Sequence, residues 1–116
     1  AYQQEMIAEI NAPFKPDLIV LDGIETFVDG GPMTGTRAEG KIFLASDDRV
    51  AIDAVGIAVL KAQGSNDQIM RPNLFEQKQI ARAVELGLGA ASPLKLTYLL
   101  LTRCGFLSPS TDSGIF

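Results

Sequence analysis

Carboxylates carry most of the chemistry open to this chain, which has 14 Asp and Glu, no histidine and one cysteine, Cys104. Without histidine, Ser-His-Asp and Cys-His nucleophile pairs are closed to it, as are His-ligated metal sites. One cysteine cannot form a disulfide within the chain, which points to a cytoplasmic setting. This chain alone cannot ligate an iron–sulfur cluster or a cysteine-held zinc. Any reaction must use acids, hydroxyls, Lys, Arg or backbone groups.

The acids stand in suggestive places. An apolar run from Leu18 to Leu21 meets Asp22, and a second, Lys41 to Ala45, meets Ser46, Asp47 and Asp48. Between them lies Gly30-Gly31-Pro32-Met33-Thr34-Gly35. In α/β sheets, ligands gather beyond the carboxyl ends of strands. Glycines let backbone approach closely and leave N–H groups free to cradle an anion. Asp22, Gly30, Gly31, Pro32, Thr34, Gly35, Ser46, Asp48 and Asp53 are therefore the candidate ligand-binding residues. The loop has neither a Walker nor a dinucleotide spacing, and no helix follows it directly. A long turn that needs flexible residues is the favoured reading of the loop.

Asp22, Asp29, Asp47 and Asp48 are oxygen ligands of the kind Mg²⁺ and Ca²⁺ prefer. Helix capping explains Asp47 and Asp48 more simply, and an Asp-Gly turn or bulge explains Asp22. No metal is assigned. Asp53 is the sharpest anomaly, a charge inside an apolar helix. It reads either as an active-site acid or base, or as the partner of Arg49 one turn earlier. The ion pair is the favoured reading. Arg37 and Lys41 flank the loop and could hold an anion, though solvated surface charge suffices. Cys104 reads as a small hydrophobe.

These residues must be positioned by a small α/β domain. At 116 residues and 47% apolar, the chain suits one domain with one core. Its net charge of −4 and the lack of a basic cluster disfavour nucleic acid and anionic membrane. No segment reads as a signal peptide or a membrane span. The chain starts at Ala1 and reads as a piece of something longer.

A first helix over 2–10 places Met6, Ile7 and Ile10 on one face. Two buried strands follow, Leu18–Leu21, which Ile24 to Val28 can continue, and Lys41–Ala45; with only the long loop 29–40 between them, the two can pair antiparallel and make the sheet mixed. Val50 to Leu60 is apolar almost all round, which predicts a buried helix over Arg49 to Gln63, ended by Gly64. Gly56 there implies close packing on a strand. After a polar connection, Asn73 and Glu76 form a capping-box start. Ile80, Ala81, Val84 and Leu88 then give an inner stripe, and Gly87 or Gly89 a left-handed stop. Leu94 to Leu101 alternates like a strand. The expected fold is α/β, a mixed sheet of three to four strands with three helices, as one domain over 1–104 and a loose tail over 105–116.

KPDLIVLDGI (Lys15 to Ile24), DGGPMTG (Asp29 to Gly35), IFLASDDRVAIDAVG (Ile42 to Gly56) and ELGLG (Glu85 to Gly89) followed by Ser-Pro occur in order. In these the chain resembles the domain of unknown function 362 family over residues 5–95. The resemblance implies the C-terminal half of a longer protein, often linked to ferredoxin-type iron–sulfur modules. No catalytic role transfers from the family. Its matching positions are Asp22, Gly30, Gly31, Pro32, Gly35, Ser46, Asp48 and Asp53. Two readings stand. The chain is the ligand-binding half of an iron–sulfur-linked enzyme, partnered by a missing N-terminal half or ferredoxin-like domain. Alternatively, it is a non-catalytic structural or interaction module, docking a partner or a second copy as a homo-oligomer.

Overall fold

The computed structural model describes residues 2–93 and the strands Leu99–Thr102 and Gly105–Phe106. Helix α1 (Gln3–Ile10) leads into strands β1 (Ile19–Asp29) and β2 (Thr36–Ser46). Then come α2 (Arg49–Gln63), a one-turn α3 (Asp67–Met70), a 3-10 turn (Leu74–Glu76), α4 (Lys78–Glu85), and the short β3 (Leu99–Thr102) and β4 (Gly105–Phe106). The chain thus folds as one compact domain mixing helices and strands. The readings of Cys104, of residues 94–98 in the expected last strand and of the tail from 107 onward lie outside the described residues; residues 105–106, expected in the loose tail, are strand.

β1 and β2 form an antiparallel hairpin that makes up the body of the sheet. The short β3 and β4 follow in the order β1-β2-β3-β4, also antiparallel. The expected mixed sheet of three to four strands is corrected here. Every pairing is antiparallel, and only β1 and β2 are long strands among the described residues. The reason is the connection: six residues, Gly30 to Gly35, are too few for the crossover that parallel strands need.

The expected loop over 29–40 is also corrected, because Thr36 to Gly40 is strand, paired with Glu25 to Asp29. Asp22-Gly23 neither turns the chain nor ends the strand. The register slips between Gly23 and Glu25, a bulge, and β1 runs on. A Cβ on Gly40 would overlap the Gly23 carbonyl oxygen, so the strands come closest beside this bulge.

One hairpin face packs on α2, where Leu44, Ile52 and Val55 are buried with Ile19, Leu21 and Ile42 against them. The other flank of α2 buries Val50 and Ala54 against Ile80, with Ile57, Phe75, Ala83, Val84 and Leu88 around them. Each fully buried side chain of this size stabilises by about 1.5–3 kcal/mol. A helix covered on two flanks must be apolar over most of its circumference, as the sequence of α2 is. Gly56 lets Leu21 in, since a Cβ there would lie 3.1 Å from Leu21 Cδ1.

α1 packs on α4, and the Arg82 guanidinium meets Glu9 at 2.7 Å and Glu85 at 2.9 Å. The predicted inner face of α1 is corrected: Ala8 is its buried residue, while Met6 and Ile10 are exposed. Asn73 and Glu76 form the expected capping box, but it opens the 3-10 turn, and α4 starts at Lys78. Gly87, at φ +69°, supplies the left-handed stop.

Candidate functional site

The hairpin register decides which candidate residues can meet. Ile19 pairs with Ser46 at one end and Asp29 with Thr36 at the other. Ten strand steps separate these ends, on the order of 30 Å. Asp22 pairs with Phe43, close to the Ser46 end. Gly30, Gly31, Pro32, Thr34 and Gly35 cap the opposite end. The expected rim, with the glycine loop draped between Asp22 and Asp48, is therefore not built. Antiparallel strands send their carboxyl ends in opposite directions, and the sequence pattern does not reveal strand direction.

At the Ser46 end the polar atoms hold backbone. Asp48 Oδ1 accepts the N–H groups of Val50 and Ala51, both at 2.9 Å, and Oδ2 accepts that of Ala90 at 2.8 Å. Ser46 Oγ accepts the Asp48 N–H at 2.9 Å. Gly89 lies so close that a Cβ would overlap the Asp48 carboxylate. Asp48 thus caps α2 and fastens the segment after α4 to it. Asp22 Oδ1 accepts the Ile24 N–H at 3.0 Å across the bulge.

At the other end the glycine segment closes the hairpin. Gly30 has φ +71°, and a Cβ on Gly35 would overlap the Asp29 carbonyl oxygen. Gly31 lies against the Phe27 ring, where a Cβ would come within 2.9 Å of Cγ. Arg37 stacks over the same ring at 5.2 Å and faces Glu25 at 3.6 Å. Lys41 meets Glu39 at 2.7 Å, which raises its pKa. Arg37 sits at the loop end and Lys41 midway along β2, and both cations face carboxylates. Among the described residues no three acids converge as a metal site would require.

Asp53 is placed differently. The ion pair with Arg49 is corrected: the Arg49 guanidinium donates to the carbonyls of Asn11, Phe14 and Leu88 instead. Asp53 is left with the Gln79 amide at 3.5 Å, the outer limit of a hydrogen bond. It sits where two clefts adjoin, of about 300 and 340 Å³, which share Asp53, Gln79 and Ile80 in their linings. Such volumes reach the lower end of small-molecule sites. The smaller cleft runs between α1, α2 and α4 past Ile7, Ile19 and Arg49. The larger runs under the hairpin past Leu21, Thr26, Ile42 and Ile57.

Solvent reaches the outer side of Asp53, yet the hydrocarbon around it pushes the carboxyl pKa up, and the Gln79 amide only partly opposes this. A raised carboxyl in a cleft is a recognised mark of a functional acid.

Gln4, Thr26, Gln77 and Gln79 complete the polar lining of the larger cleft. Sequence reasoning missed all four. Three of them are amides on or beside helices and Thr26 is a hydroxyl on β1, and what they share becomes legible only once α4 is known to pack on α2.

A family model described as a domain of unknown function (DUF362) matches residues 2–58. Over those residues, just under half of its length, the chain is similar to that family. No curated protein and no solved structure matches it. The matched DUF362 stretch holds α1, the hairpin and α2 as far as Ala58, and so includes Asp53 and the hairpin wall of the larger cleft. The opposite wall, Ile69, Gln77, Gln79 and Ile80, lies past it. No helix among the described residues is long and apolar enough to cross a membrane.

Proposed function

We propose that this domain binds a small molecule in the cleft at Asp53, as the ligand-binding part of a larger enzyme. The supporting observation is Asp53 itself. It is a carboxylate on a core helix, unpaired with Arg49, at the junction of two clefts of ligand size. Asp22, Ser46, Asp48 and the Gly30–Gly35 loop then have structural work as bulge, cap and hairpin end, outside this site. The cytoplasmic, iron–sulfur-linked setting and the partner half or ferredoxin-like domain belong to the same proposal. The single cysteine supports the first, and the family resemblance supports the others. Two-dimensional amide NMR during a fragment titration tests the site. Shifts should gather at Thr26, Asp53, Ile57, Gln79 and Ile80. Shifts confined to Gly30–Gly35, or none at millimolar fragment, overturn it.

A second reading has its own observation. Val20 and Phe43 stand exposed on the hairpin face turned from α2, with Leu18 and Ile24 exposed beside them. Such a patch suits a non-catalytic interaction module that docks a partner domain or a second copy. Sedimentation separates these: dimer formation abolished by Val20→Ser and Phe43→Ser favours self-association, and a strict monomer counts against it.

A further inference from the structure

We propose that the larger cleft takes a protonated amine carried on a small apolar body, with Asp53 as its counter-ion. This rests on the proposal that the cleft is a ligand site and names the class of ligand. Among the described residues in its lining, Asp53 is the one ionisable side chain. The remaining polar groups, Gln4, Thr26, Gln77 and Gln79, are neutral. The rest of the wall is hydrocarbon, from Leu21, Ile42, Ile57, Val59, Leu60, Ile69 and Ile80, with Gly23 and Gly56 adding no side chain.

An anionic ligand would meet the Asp53 carboxylate with no cation in this lining to offset it. Arg49, which lines the smaller cleft, has its donors turned to three carbonyls. A neutral ligand would bring no opposite charge to the carboxylate, whose outer side is met by water and whose cleft side has Gln79 only at 3.5 Å. A protonated amine satisfies both conditions. It brings up to three donors and the opposite charge, and charge-assisted bonds of this kind are about twice as strong as neutral ones. The Thr26 hydroxyl donates to Gln63 Oε1 at 2.5 Å, so it is already committed within the fold. Gln77 Nε2 donates to the Ile69 carbonyl at 3.1 Å and Gln79 Nε2 faces Asp53, which leaves the Gln4 amide and the amide oxygens of Gln77 and Gln79 for secondary polar groups on the ligand.

Binding of n-pentylamine, 1-pentanol and n-pentanoate to the whole chain, followed by amide NMR at neutral pH, tests this. The amine should bind about tenfold more tightly than the alcohol, and the pentanoate least. Asp53→Asn should remove that preference while leaving the alcohol affinity within about twofold. Equal binding of all three, a preference for the pentanoate, or a preference that survives Asp53→Asn overturns the amine assignment and leaves the cleft as a ligand site. No binding of any of them, with no shift in the cleft, removes the cleft reading as well. A lysine side chain presents the same ammonium, so an acetylated, amidated lysine peptide is the second arm. Binding of the peptide without binding of free pentylamine overturns the small-molecule assignment in favour of a protein partner.

Discussion

Arg49 and Asp53 stand one turn apart on α2 and do not pair. The guanidinium reaches across to the carbonyls of Asn11, Phe14 and Leu88, and the carboxylate faces Gln79. Arg49 is therefore a clip between three chain segments. Arg49→Met keeps the apolar stem but removes every donor, and leaves three carbonyls without it. A net hydrogen bond contributes about 0.5–1.5 kcal/mol, so the loss should be about 1–3 kcal/mol. Urea unfolding with an unchanged slope checks it.

Asp53 should act on stability in the opposite direction. Its carboxyl pKa is raised in the folded chain, so across the interval above its unfolded value of 3.8 the folded state binds more protons than the unfolded one. Stability from this group therefore falls as pH rises from 3.8 through the raised folded value. Asp53→Asn should raise Tm at pH 7, and the gain should vanish below pH 3.8. Melting curves of both proteins across pH 3 to 8 read this directly. A lower Tm for the variant at pH 7 would mean that Asp53 has a stabilising partner in the fold.

Glu76 contributes with the other sign. Its carboxylate accepts the Asn73 N–H at 3.0 Å, which lowers its pKa below 4.5. That contribution is complete above pH 4.5 and is lost as pH falls through the lowered folded value. Glu76→Gln should flatten the acid limb of the same Tm profile.

Asp48 holds three backbone N–H groups from two parts of the chain. Asp48→Ala removes the cap of α2, about 1 kcal/mol, and strands the Ala90 N–H, about 1–3 kcal/mol. Asp48→Ser should retain the cap but not the reach to Ala90. Hydrogen exchange separates these effects. In the serine variant Ala90 should lose protection while Val50 and Ala51 keep theirs.

Gly40 should not tolerate a side chain. An added Cβ would overlap the Gly23 carbonyl, forcing the strands apart at the bulge. Overpacking of this kind costs about 1–3 kcal/mol. Gly64→Ala meets nothing within 4 Å and carries only the penalty of φ +79°. Chemical denaturation of the two variants should rank Gly40→Ala below Gly64→Ala.

What the sequence made legible was local. The bounds of α2 follow from Asp48 before it and Gly64 after it, and the packing role of Gly56 follows from its place in an apolar helix. The capping box at Asn73 and the stop at Gly87 are equally short-range. What stayed hidden was long-range. The bare loop between the two apolar runs allows an antiparallel pair, but neither run carries a mark of register, so the separation of Asp48 from the glycine loop could not be read. Arg49 has Asp53 four residues away, yet its partners Phe14 and Asn11 lie 35 and 38 residues off. Proximity in the chain favoured the wrong partner. Asp53 was visible as an anomaly, but the amides that share its cleft were not.

The larger cleft is a seam. Leu21, Gly23, Thr26 and Ile42 on one bank belong to the hairpin, whose geometry depends on bulge, turn and register together. Ile69, Gln77, Gln79 and Ile80 on the other bank belong to short helical pieces joined by connections that impose no register. Exchanging side chains on that second bank reshapes the cavity while leaving strand pairing alone. If the proposed cleft is the ligand site, a few positions between 69 and 80 would set what it accepts, with Asp53 as the anchor held on α2.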